Sequence, residues 1–529
     1  MTGRAAPGAG LAAARDARPI RAGERIHVVG AAGAGASAAA LHGAWAGAVV
    51  DGCDAGGPSP YTAAIDAAGI GFVAEHDAGH IRRIPPPDRL AVTKALTAIA
   101  PDHPELMAAR AAGIPIEAWQ QVIADAAVGR MLVGIAGTHG KSTTAGWLVH
   151  VLAAAGEDPS AFVGALLAAD LTGGVPGTAR RGRGATFVVE ADEYAGNFDA
   201  YHPAIAVVTS AEWDHPDVFA DRAAVVAAFD GWIRAMIAPP AMAGQRAASP
   251  VAIVNVADEG ASDLARRLGD WPGRVVATAL MDGDVEARRG SSIARGLSEE
   301  YATAGGLATA LLGRVVRLEP NATVLEILGL DPLRGPLLVR LSTAGRHNAA
   351  NALGVAAAAA ETGLGADAIA EGLASFRGVG RRLERKGEAG GVVVYDDYGH
   401  HPTAIRATLG AVRQREPGHR IWAVYEPLTY HRTAALLDDF AVALAEADGV
   451  AIADIWAGRD PDTTIASADG LASAVARANP RIPVAAPGGV EMTATWLAGE
   501  VRSGDVVLVM GGGRSYRIAE LLIEALADR

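Results

Sequence analysis

The chain has 529 residues, of which half are hydrophobic, and a formal net charge of −13 at pH 7. This length is too great for one hydrophobic core and predicts two to four domains, and the negative charge disfavours nucleic acid as the main partner. No apolar run approaches the roughly 20 residues that span a bilayer, so we expect a cytoplasmic protein without a membrane partner.

The first segment runs from residue 23 to residue 128 and follows an arginine-bearing stretch, 1–22. That stretch lacks the apolar region of a signal peptide and is interpreted as a disordered tail. "RIHVVGAAGAGAS" predicts a strand, a glycine turn and the start of a helix, and later short strands alternate with alanine-rich stretches. The glycines follow G-x-x-G-x-G, which predicts a phosphate near Gly33 to Ser37 without identifying a dinucleotide. The single cysteine, Cys53, excludes an internal disulfide and a zinc site built from several cysteines.

The second segment, 129–379, opens with the strand "MLVGIAG" and the turn "GTHGKST". Backbone N–H groups of such a turn point at phosphate oxygens, and the following helix N-terminus favours negative charge. Lys141 would reach the outer phosphates and Ser142 would coordinate Mg²⁺. The chain has three lysines against 43 arginines, so a lysine at this turn indicates a need for a compact point charge. Residues 240–340 give no clear pattern.

Two acidic clusters follow strands of this segment. "VVEADEY" places Glu190, Asp192 and Glu193 at one strand end, and "EWDHPD" places Asp214 and His215 at another. Each cluster alone is typical of a solvated loop. With the phosphate-binding turn, three strand ends would converge on one crevice, where carboxylates are suitable Mg²⁺ ligands and an imidazole is an unusual one.

The third segment, 380–529, repeats the pattern of apolar strands with polar ends. "GVVVYDDYGHH", "RIWAVYEPLTYHRT", "GVAIADIWAGRD" and "DVVLVMGGGRS" alternate with helical stretches, which predicts an open parallel sheet with ligands beyond the strand ends. Arg432 would bind a carboxylate bidentately; the alternative is that it pairs with Asp438 or Asp439 on the following helix.

With these motifs in place, the chain resembles the Mur ligases from residue 23 onward. The resemblance rests on "IHVVGAAGAGAS", "GTHGKSTT", "VVEADEY", "DHPDVF", "GRHNAANAL", "GVGRRLE", "YDDYGHHPTAI", "EPLTYHRT" and "DVVLVMGGG". It implies an α/β protein of three domains, each with a largely parallel sheet: a Rossmann-like UDP-sugar domain, a P-loop ATPase domain and a Rossmann-like amino-acid domain.

The resemblance also implies the roles of individual residues. Lys141, His400 and Arg432 would be catalytic, and Ser142, Glu190 and His215 would bind Mg²⁺. The UDP-sugar would be held by Gly33, Gly35, Ser37 and Asp54. The ATP site would comprise Gly137, Thr138, His139, Gly140, Lys141, Ser142, Thr143, His347, Asn348, Asn351, Arg382 and Asp397.

The implied reaction is ATP-dependent addition of L-alanine to UDP-N-acetylmuramate through an acyl phosphate, in peptidoglycan precursor synthesis. Three alternatives remain open. The chain could be a murein-recycling ligase that joins a peptide to the same sugar, a diverged Mur ligase with another acceptor, or a nucleotide-binding relative without catalysis. An intact set of Lys141, Ser142, Glu190 and His215 argues against the last of these.

Overall fold

The computed structural model describes residues 6–239, 249–281, 309–331, 335–458, 460 and 462–527. Within these ranges the chain forms three separate sheets of five, ten and six strands, each covered by helices. The predicted fold class, an α/β protein with three largely parallel sheets, is confirmed. Each sheet lies within one of the three predicted segments, whose boundaries stay a prediction. Among the described residues, no helix combines the length and the apolar character needed to cross a bilayer.

The first sheet is entirely parallel and has the order β3-β2-β1-β4-β5. Its strands are β1 (Arg25–Val29), β2 (Val49–Cys53), β3 (Gly71–Val73), β4 (Arg89–Val92) and β5 (Ile116–Ala118). Its helices are Ala34–Trp45, Thr62–Ala67, Gly79–Arg82, Lys94–Ile99, Pro104–Ala112 and Trp119–Ala126. Because the chain order reverses at β1, a crevice opens beyond the carboxyl end of this strand, and the predicted glycine turn lies there.

The N-terminal stretch is packed against this first domain from residue 6 onward, so the expectation of a disordered tail is wrong for residues 6–22. The Arg15 guanidinium lies 2.9 Å from Glu117 and 2.8 Å from Asp125, and the side chain of Ile20 is buried. The partners of Arg15 lie 102 and 110 residues further along the chain and could not be read from the tail itself.

We expect Arg15→Ala to lower the free energy of unfolding of the first domain by about 1–2 kcal/mol, because charge-assisted hydrogen bonds to Glu117 and Asp125 are lost while Arg15 is only partly buried. Urea unfolding measures the change. Arg21→Ala is the matched control. Arg21 belongs to the same stretch, but its side chain is exposed and its Nε lies 3.7 Å from the Glu24 carboxylate, beyond hydrogen-bond distance. Equal midpoints for both variants would contradict the packing of this stretch.

The second sheet has ten strands in the order β15-β14-β13-β12-β11-β10-β6-β9-β7-β8. Its strands are β6 (Met131–Ala136), β7 (Ser160–Leu167), β8 (Gly177–Arg180), β9 (Thr186–Glu190), β10 (Ile205–Val208), β11 (Val251–Asn255), β12 (Arg274–Met281), β13 (Thr309–Glu319), β14 (Ala322–Leu328) and β15 (Leu337–Leu341). The pairs β7–β8, β13–β14 and β14–β15 are antiparallel and the others parallel. The region 240–340, which the sequence left unassigned, therefore supplies half of this sheet.

In the described part of the second domain, five α-helices and two short 3-10 helices cover the sheet. The α-helices are Lys141–Ala154, Arg222–Arg234, Glu259–Arg267, Arg346–Glu361 and Ala366–Ser375, and the 3-10 helices are Tyr194–Ala200 and Leu268–Asp270. The two central strands β6 and β10 are parallel neighbours with the register Ala136 to Val208. Their carboxyl ends therefore meet at one edge, where the phosphate-binding turn and the acidic loops emerge.

The third sheet has the order β16-β17-β21-β18-β19-β20, and its β16–β17 pair is antiparallel while the other pairs are parallel. Its strands are β16 (Glu384–Ala389), β17 (Val392–Asp397), β18 (Ile421–Glu426), β19 (Gly449–Ala453), β20 (Val484–Gly488) and β21 (Val506–Gly511). Its helices are Pro402–Arg415, Tyr430–Ala435, Leu437–Leu444, Ala468–Ala478, Val490–Glu500 and Ser515–Ala527. The loops after β17 and β18 face the second domain.

Candidate functional site

One cleft of about 1180 Å³ lies between the second and third domains. It is lined by the phosphate-binding turn, the acidic loops after β9 and β10, the start of the Arg346–Glu361 helix, the segment that leads into β16 and the loop after β17. This is the large concave site with convergent polar groups that is expected of a ligand pocket. The predicted convergence of three strand ends is therefore present.

The phosphate-binding turn has the predicted strand–turn–helix form. β6 ends at Ala136 and the next helix begins at Lys141. Gly137 and Gly140 both have positive φ values, 129° and 78°, and a side chain on Gly137 would overlap Thr209. Glycine is therefore favoured at both positions of the turn. The first N–H groups of the following helix have no partner within the helix and can bind an anion in the cleft.

The ammonium group of Lys141 is held beside this turn by a backbone carbonyl and a carboxylate. Its Nζ donates to the carbonyl of Gly137 at 2.6 Å and to the Glu193 carboxylate at 3.0 Å. Burial alone would lower the pKa of Lys141, but Glu193 and Asp192 outweigh burial and raise this pKa above its usual value. Lys141 is thus a protonated point charge aimed along the turn.

The predicted magnesium ligands are only partly brought together. The Ser142 hydroxyl donates to Glu190 at 3.0 Å, and Glu190 also accepts from the backbone N–H of Gly164 at 2.6 Å. His215 instead groups with Asp192 and Glu193, and the ligand atoms of these three lie within 4.8 Å of one another. Oxygen ligands suit Mg²⁺, so Ser142 and the carboxylates of the cleft fit this ion.

His215 is engaged with the third domain. Its Nδ1 accepts a hydrogen bond from Arg432 Nη2 at 3.2 Å, which places the ring proton on Nε2, the atom that faces Glu193 at 3.9 Å. A nitrogen that carries a proton cannot ligate a metal. His215 also has a positive φ of 56°, an unusual conformation for a residue other than glycine that is typical of functional sites. Its role as a metal ligand stays a prediction, and it requires the hydrogen bond to Arg432 to be exchanged.

Arg432 is buried and pairs with neither of the aspartates considered from the sequence. Its Nε donates to Asp214 at 2.7 Å, across the boundary between the second and third domains. Burial would raise the pKa of Asp214, but His215, Arg432 and His400 outweigh it and hold this pKa well below its usual range. Because Nε and Nη2 are occupied, the predicted bidentate grip on an acceptor carboxylate is not available in this arrangement. Nη1 is buried and has no hydrogen-bond partner among the described residues.

His400 lies beside this ion pair as a neutral imidazole. Burial, followed by the charge of Arg432, lowers the pKa of His400 well below its usual value. Its Nδ1–H donates a hydrogen bond to the carbonyl of Tyr398, at a distance of 2.9 Å. The lone pair is therefore on Nε2.

The predicted nucleotide residues of the second domain line the cleft at one helix start. His347, Asn348 and Asn351 lie in the first two turns of the Arg346–Glu361 helix. Burial lowers the pKa of His347 to about 4, so its ring is neutral. The Asn351 amide lies 2.6 Å from the place a Cβ of Gly140 would take, so it packs directly against the phosphate-binding turn.

The two predicted nucleotide residues of the third domain have other contacts. Arg382 Nη2 donates to the Ser142 hydroxyl at 2.9 Å, which places this arginine at the phosphate end of the cleft rather than at an adenosine. The Asp397 carboxylate accepts from the backbone N–H groups of Leu383 and Gly399, each at 2.7 Å. In this arrangement Asp397 shapes the loop that carries His400.

The predicted UDP-sugar residues lie away from the cleft. Ser37 is fully buried, and its hydroxyl donates to the carbonyl of Ala34 and lies 3.1 Å from the Thr178 hydroxyl of the second domain. The Asp54 carboxylate accepts from the backbone N–H of Gly56 at 2.9 Å. The role of Ser37 in holding the UDP-sugar stays a prediction, and in this arrangement its hydroxyl is used in the contact between domains. Gly33 and Gly35 lie in the same turn and the following helix.

The sequence analysis missed Arg381 and Glu212. Arg381 has a positive φ of 58° and stacks its guanidinium on Tyr398 at 5.1 Å. Glu212 accepts from the Thr403 hydroxyl of the third domain at 2.7 Å and lies 3.6 Å from His139 Nε2. Burial would raise the pKa of Glu212, but His139 and Thr403 outweigh it and lower the pKa to about 2. The charge of Glu212 in "SAEWDH" was a signal that the analysis did not use.

Comparison with family models matches three consecutive regions. Residues 25–130 match the Mur ligase family catalytic domain, residues 135–359 the Mur ligase middle domain, and residues 381–513 the Mur ligase glutamate ligase domain. A UDP-N-acetylmuramate–L-alanine ligase of Kineococcus radiotolerans is 35% identical over 96% of this chain and 97% of the relative. One of Mycobacterium avium is 36% identical over 96% of both chains.

Solved structures share the fold at lower identity. A UDP-N-acetylmuramate–alanine ligase of Thermotoga maritima superposes with a TM-score of 0.72 at 22% identity, over 94% of this chain and 98% of the other. A murein peptide ligase of Psychrobacter arcticus gives a TM-score of 0.66 at 22% identity, over 96% and 99%. With matching family models over all three domains and relatives at this identity over nearly the full length, the chain belongs to the Mur ligase family of enzymes.

Proposed function

We propose that the chain is an ATP-dependent ligase that joins L-alanine to UDP-N-acetylmuramate. The observation that carries the proposal is one cleft in which Lys141 and the Ser142–Glu190 pair face Arg382 of the third domain, closed by the Arg432–Asp214 pair that joins the third domain to the second. The relatives at 35–36% identity bear the name of this activity. ATP and a UDP-sugar are cytoplasmic metabolites, so the proposal includes a cytoplasmic location.

The phosphate end of the cleft would activate the sugar's carboxylate. Lys141, Arg382 and the N-terminus of the Lys141–Ala154 helix would stabilise the charge that spreads over the γ-phosphoryl as it moves to the carboxylate oxygen and ADP leaves. Mg²⁺, held by Ser142 and Glu190, would supply Lewis-acid stabilisation of the phosphate oxygens. An amine does not attack a carboxylate readily, but it does attack the acyl phosphate, because phosphate is a good leaving group.

The third domain would receive the amine. The neutral His400 offers the lone pair of Nε2 as a hydrogen-bond acceptor for the amino group, and the unpaired Nη1 of Arg432 offers one donor for the acceptor's carboxylate. Attack on the acyl phosphate forms the amide bond and releases phosphate. Contact between the second and third domains would keep water from the acyl phosphate.

The second candidate is a murein peptide ligase, since such a protein shares the fold with a TM-score of 0.66. We favour the single amino acid because the relatives with more than 30% identity are named for L-alanine. A diverged ligase with another acceptor and a non-catalytic relative are the remaining outcomes of the experiment below.

We expect L-alanine to give the highest turnover when ATP, Mg²⁺ and UDP-N-acetylmuramate are supplied with single amino acids or a tripeptide. Glycine and L-serine differ from alanine by one methyl or hydroxyl, so their kcat/KM should be lower by only about 10- to 200-fold. Coupled phosphate release measures the rates, and mass spectrometry identifies the product. Turnover with a tripeptide or L-glutamate but not with L-alanine would exclude the proposed acceptor, and no turnover with any acceptor would exclude a ligase of this sugar.

A further inference from the structure

A second group of metal-binding side-chain types lies inside the first domain, outside the cleft. It comprises His27 in β1, Cys53 at the end of β2, His80 in the Gly79–Arg82 helix and Glu105 in the Pro104–Ala112 helix. One ligand atom from each lies within 4.8 Å of every other. Cys53 and Glu105 are fully buried and His27 nearly so. We call these four residues the His–Cys–Glu cluster.

The three distances among His27, Cys53 and Glu105 are close to the edges of a small coordination tetrahedron. Cys53 Sγ lies 3.5 Å from His27 Nε2 and 3.2 Å from Glu105 Oε2, and His27 Nε2 lies 3.5 Å from Glu105 Oε2. Tetrahedral zinc with its usual bonds to sulfur and nitrogen would give ligand–ligand distances of about 3.3 to 3.6 Å. The His80 Nδ1 to Glu105 Oε1 distance is 2.7 Å, that of a hydrogen bond, and would lengthen by roughly half an ångström on binding.

The surroundings orient the ligands as in known zinc sites. His27 Nδ1 lies 2.7 Å from Asp51, whose carboxylate also accepts from Arg83. A ring proton shared with Asp51 leaves the lone pair of His27 on Nε2, facing Cys53 and Glu105. A carboxylate behind a histidine is the common outer arrangement of protein zinc sites.

A second histidine lies beside the sulfur. His76 Nε2 accepts from the backbone N–H of Ala55, so its proton is on Nδ1, which lies 3.2 Å from Cys53 Sγ. An N–H group directed at sulfur stabilises a thiolate. In addition, His103 is buried with neither ring nitrogen hydrogen-bonded among the described residues, and its ring lies 4.4 Å from that of His76. Hydrogen bonding alone thus leaves this pocket incompletely satisfied.

We propose that the His–Cys–Glu cluster binds one Zn²⁺ as a structural site of the first domain. Four protein ligands and burial indicate a closed structural site rather than a catalytic one. Binding would release the thiol proton of Cys53 to solvent, and the thiolate and the carboxylate would then balance the two charges of the ion. The site would join two strands and two helices that are separated along the chain by up to 78 residues, and it is independent of the ligase proposal.

The test uses the full chain, stripped of metal and titrated with Co²⁺. Because the chain has one cysteine, a thiolate-to-cobalt charge-transfer band reports this cluster and no other site in the molecule. We expect the band to reach its maximum at one Co²⁺ per chain and to disappear when Zn²⁺ is added. A wild-type protein that gives no such band would overturn the proposal.

Variants separate this site from metal bound elsewhere, such as at the carboxylates of the cleft. Cys53→Ser, which keeps the shape of the side chain, should bind one Zn²⁺ fewer per chain by equilibrium dialysis. Asp51→Asn keeps all four ligands and should weaken the affinity by about 10- to 100-fold. His419→Asn, which changes an exposed histidine of the third domain, is the matched control and should bind as the wild type does. Unchanged zinc stoichiometry and affinity in Cys53→Ser would refute the site.

Discussion

Replacing Lys141 with alanine is expected to lower kcat by at least about a hundredfold, and by up to about a thousandfold, with ATP, Mg²⁺ and both proposed substrates present. Removing one preorganised donor from a developing charge typically costs on the order of 3 to 4 kcal/mol. Lys141 is protonated and partly buried at the glycine turn, where its Nζ reaches Gly137 and Glu193. Steady-state phosphate release measures the loss.

The same substitution also removes the partner of a buried carboxylate, so stability must be separated from chemistry. Glu193 is 2% exposed and would be left unpaired in Lys141→Ala. The double variant Lys141→Ala with Glu193→Gln removes that charge. Its melting temperature should return toward that of the wild type, while its turnover stays low. Near-normal turnover in a folded Lys141→Ala protein would refute the assignment of the phosphate-binding turn. Recovery of turnover in the double variant would show that only the fold had been affected.

The features that sequence predicted well are those determined by neighbours along the chain. The phosphate-binding turn needs a strand before it, two glycines and a helix after it, and all of these lie between Met131 and Ala154. The convergence of the strand ends, where Ser142 now contacts Glu190, followed from the rule that parallel strands end at one edge. These predictions used local geometry and sheet topology, which the residue pattern contains.

The contacts that the residue pattern could not predict are those between domains. Ser37 is in the predicted glycine-turn region, but its hydroxyl meets Thr178, which lies 141 residues further along the chain. Arg432 pairs with Asp214, 218 residues away, rather than with a carboxylate of its own helix pair. A residue pattern shows which polar and charged side chains are present, but it does not show which residues of another domain they contact.

The His–Cys–Glu cluster was also beyond the reach of the analysis, for a related reason. One cysteine in the chain excludes a zinc site built from several cysteines and does not indicate a mixed site. The histidines of "EHDAGH" and the glutamate of "DHPEL" have no regular ligand spacing with Cys53. The parallel arrangement of β1 and β2 brings them together, since it places His27 and Cys53 on adjacent strands.

The second large effect is expected from Arg432→Ala, which should lower kcat/KM for L-alanine by about a hundredfold or more and expand the molecule in solution. Arg432 and Asp214 form a buried ion pair between the second and third domains, with an Nε to Oδ1 distance of 2.7 Å. Loss of one partner from a buried pair costs about 3–5 kcal/mol because the other charge stays unpaired. The domains should therefore separate, and the radius of gyration from small-angle X-ray scattering should rise.

Two further variants decide what Arg432 does. Arg413→Ala is the matched control, since Arg413 pairs with Asp448 on the exposed surface within the third domain, and it should change activity by less than about threefold. In Arg432→Leu with Asp214→Asn, no unpaired charge remains at the contact, so the compact form should return. A KM for L-alanine that stays high in this compact double variant would assign Arg432 to acceptor binding as well as to the domain contact. Normal compactness and turnover in Arg432→Ala itself would contradict both roles.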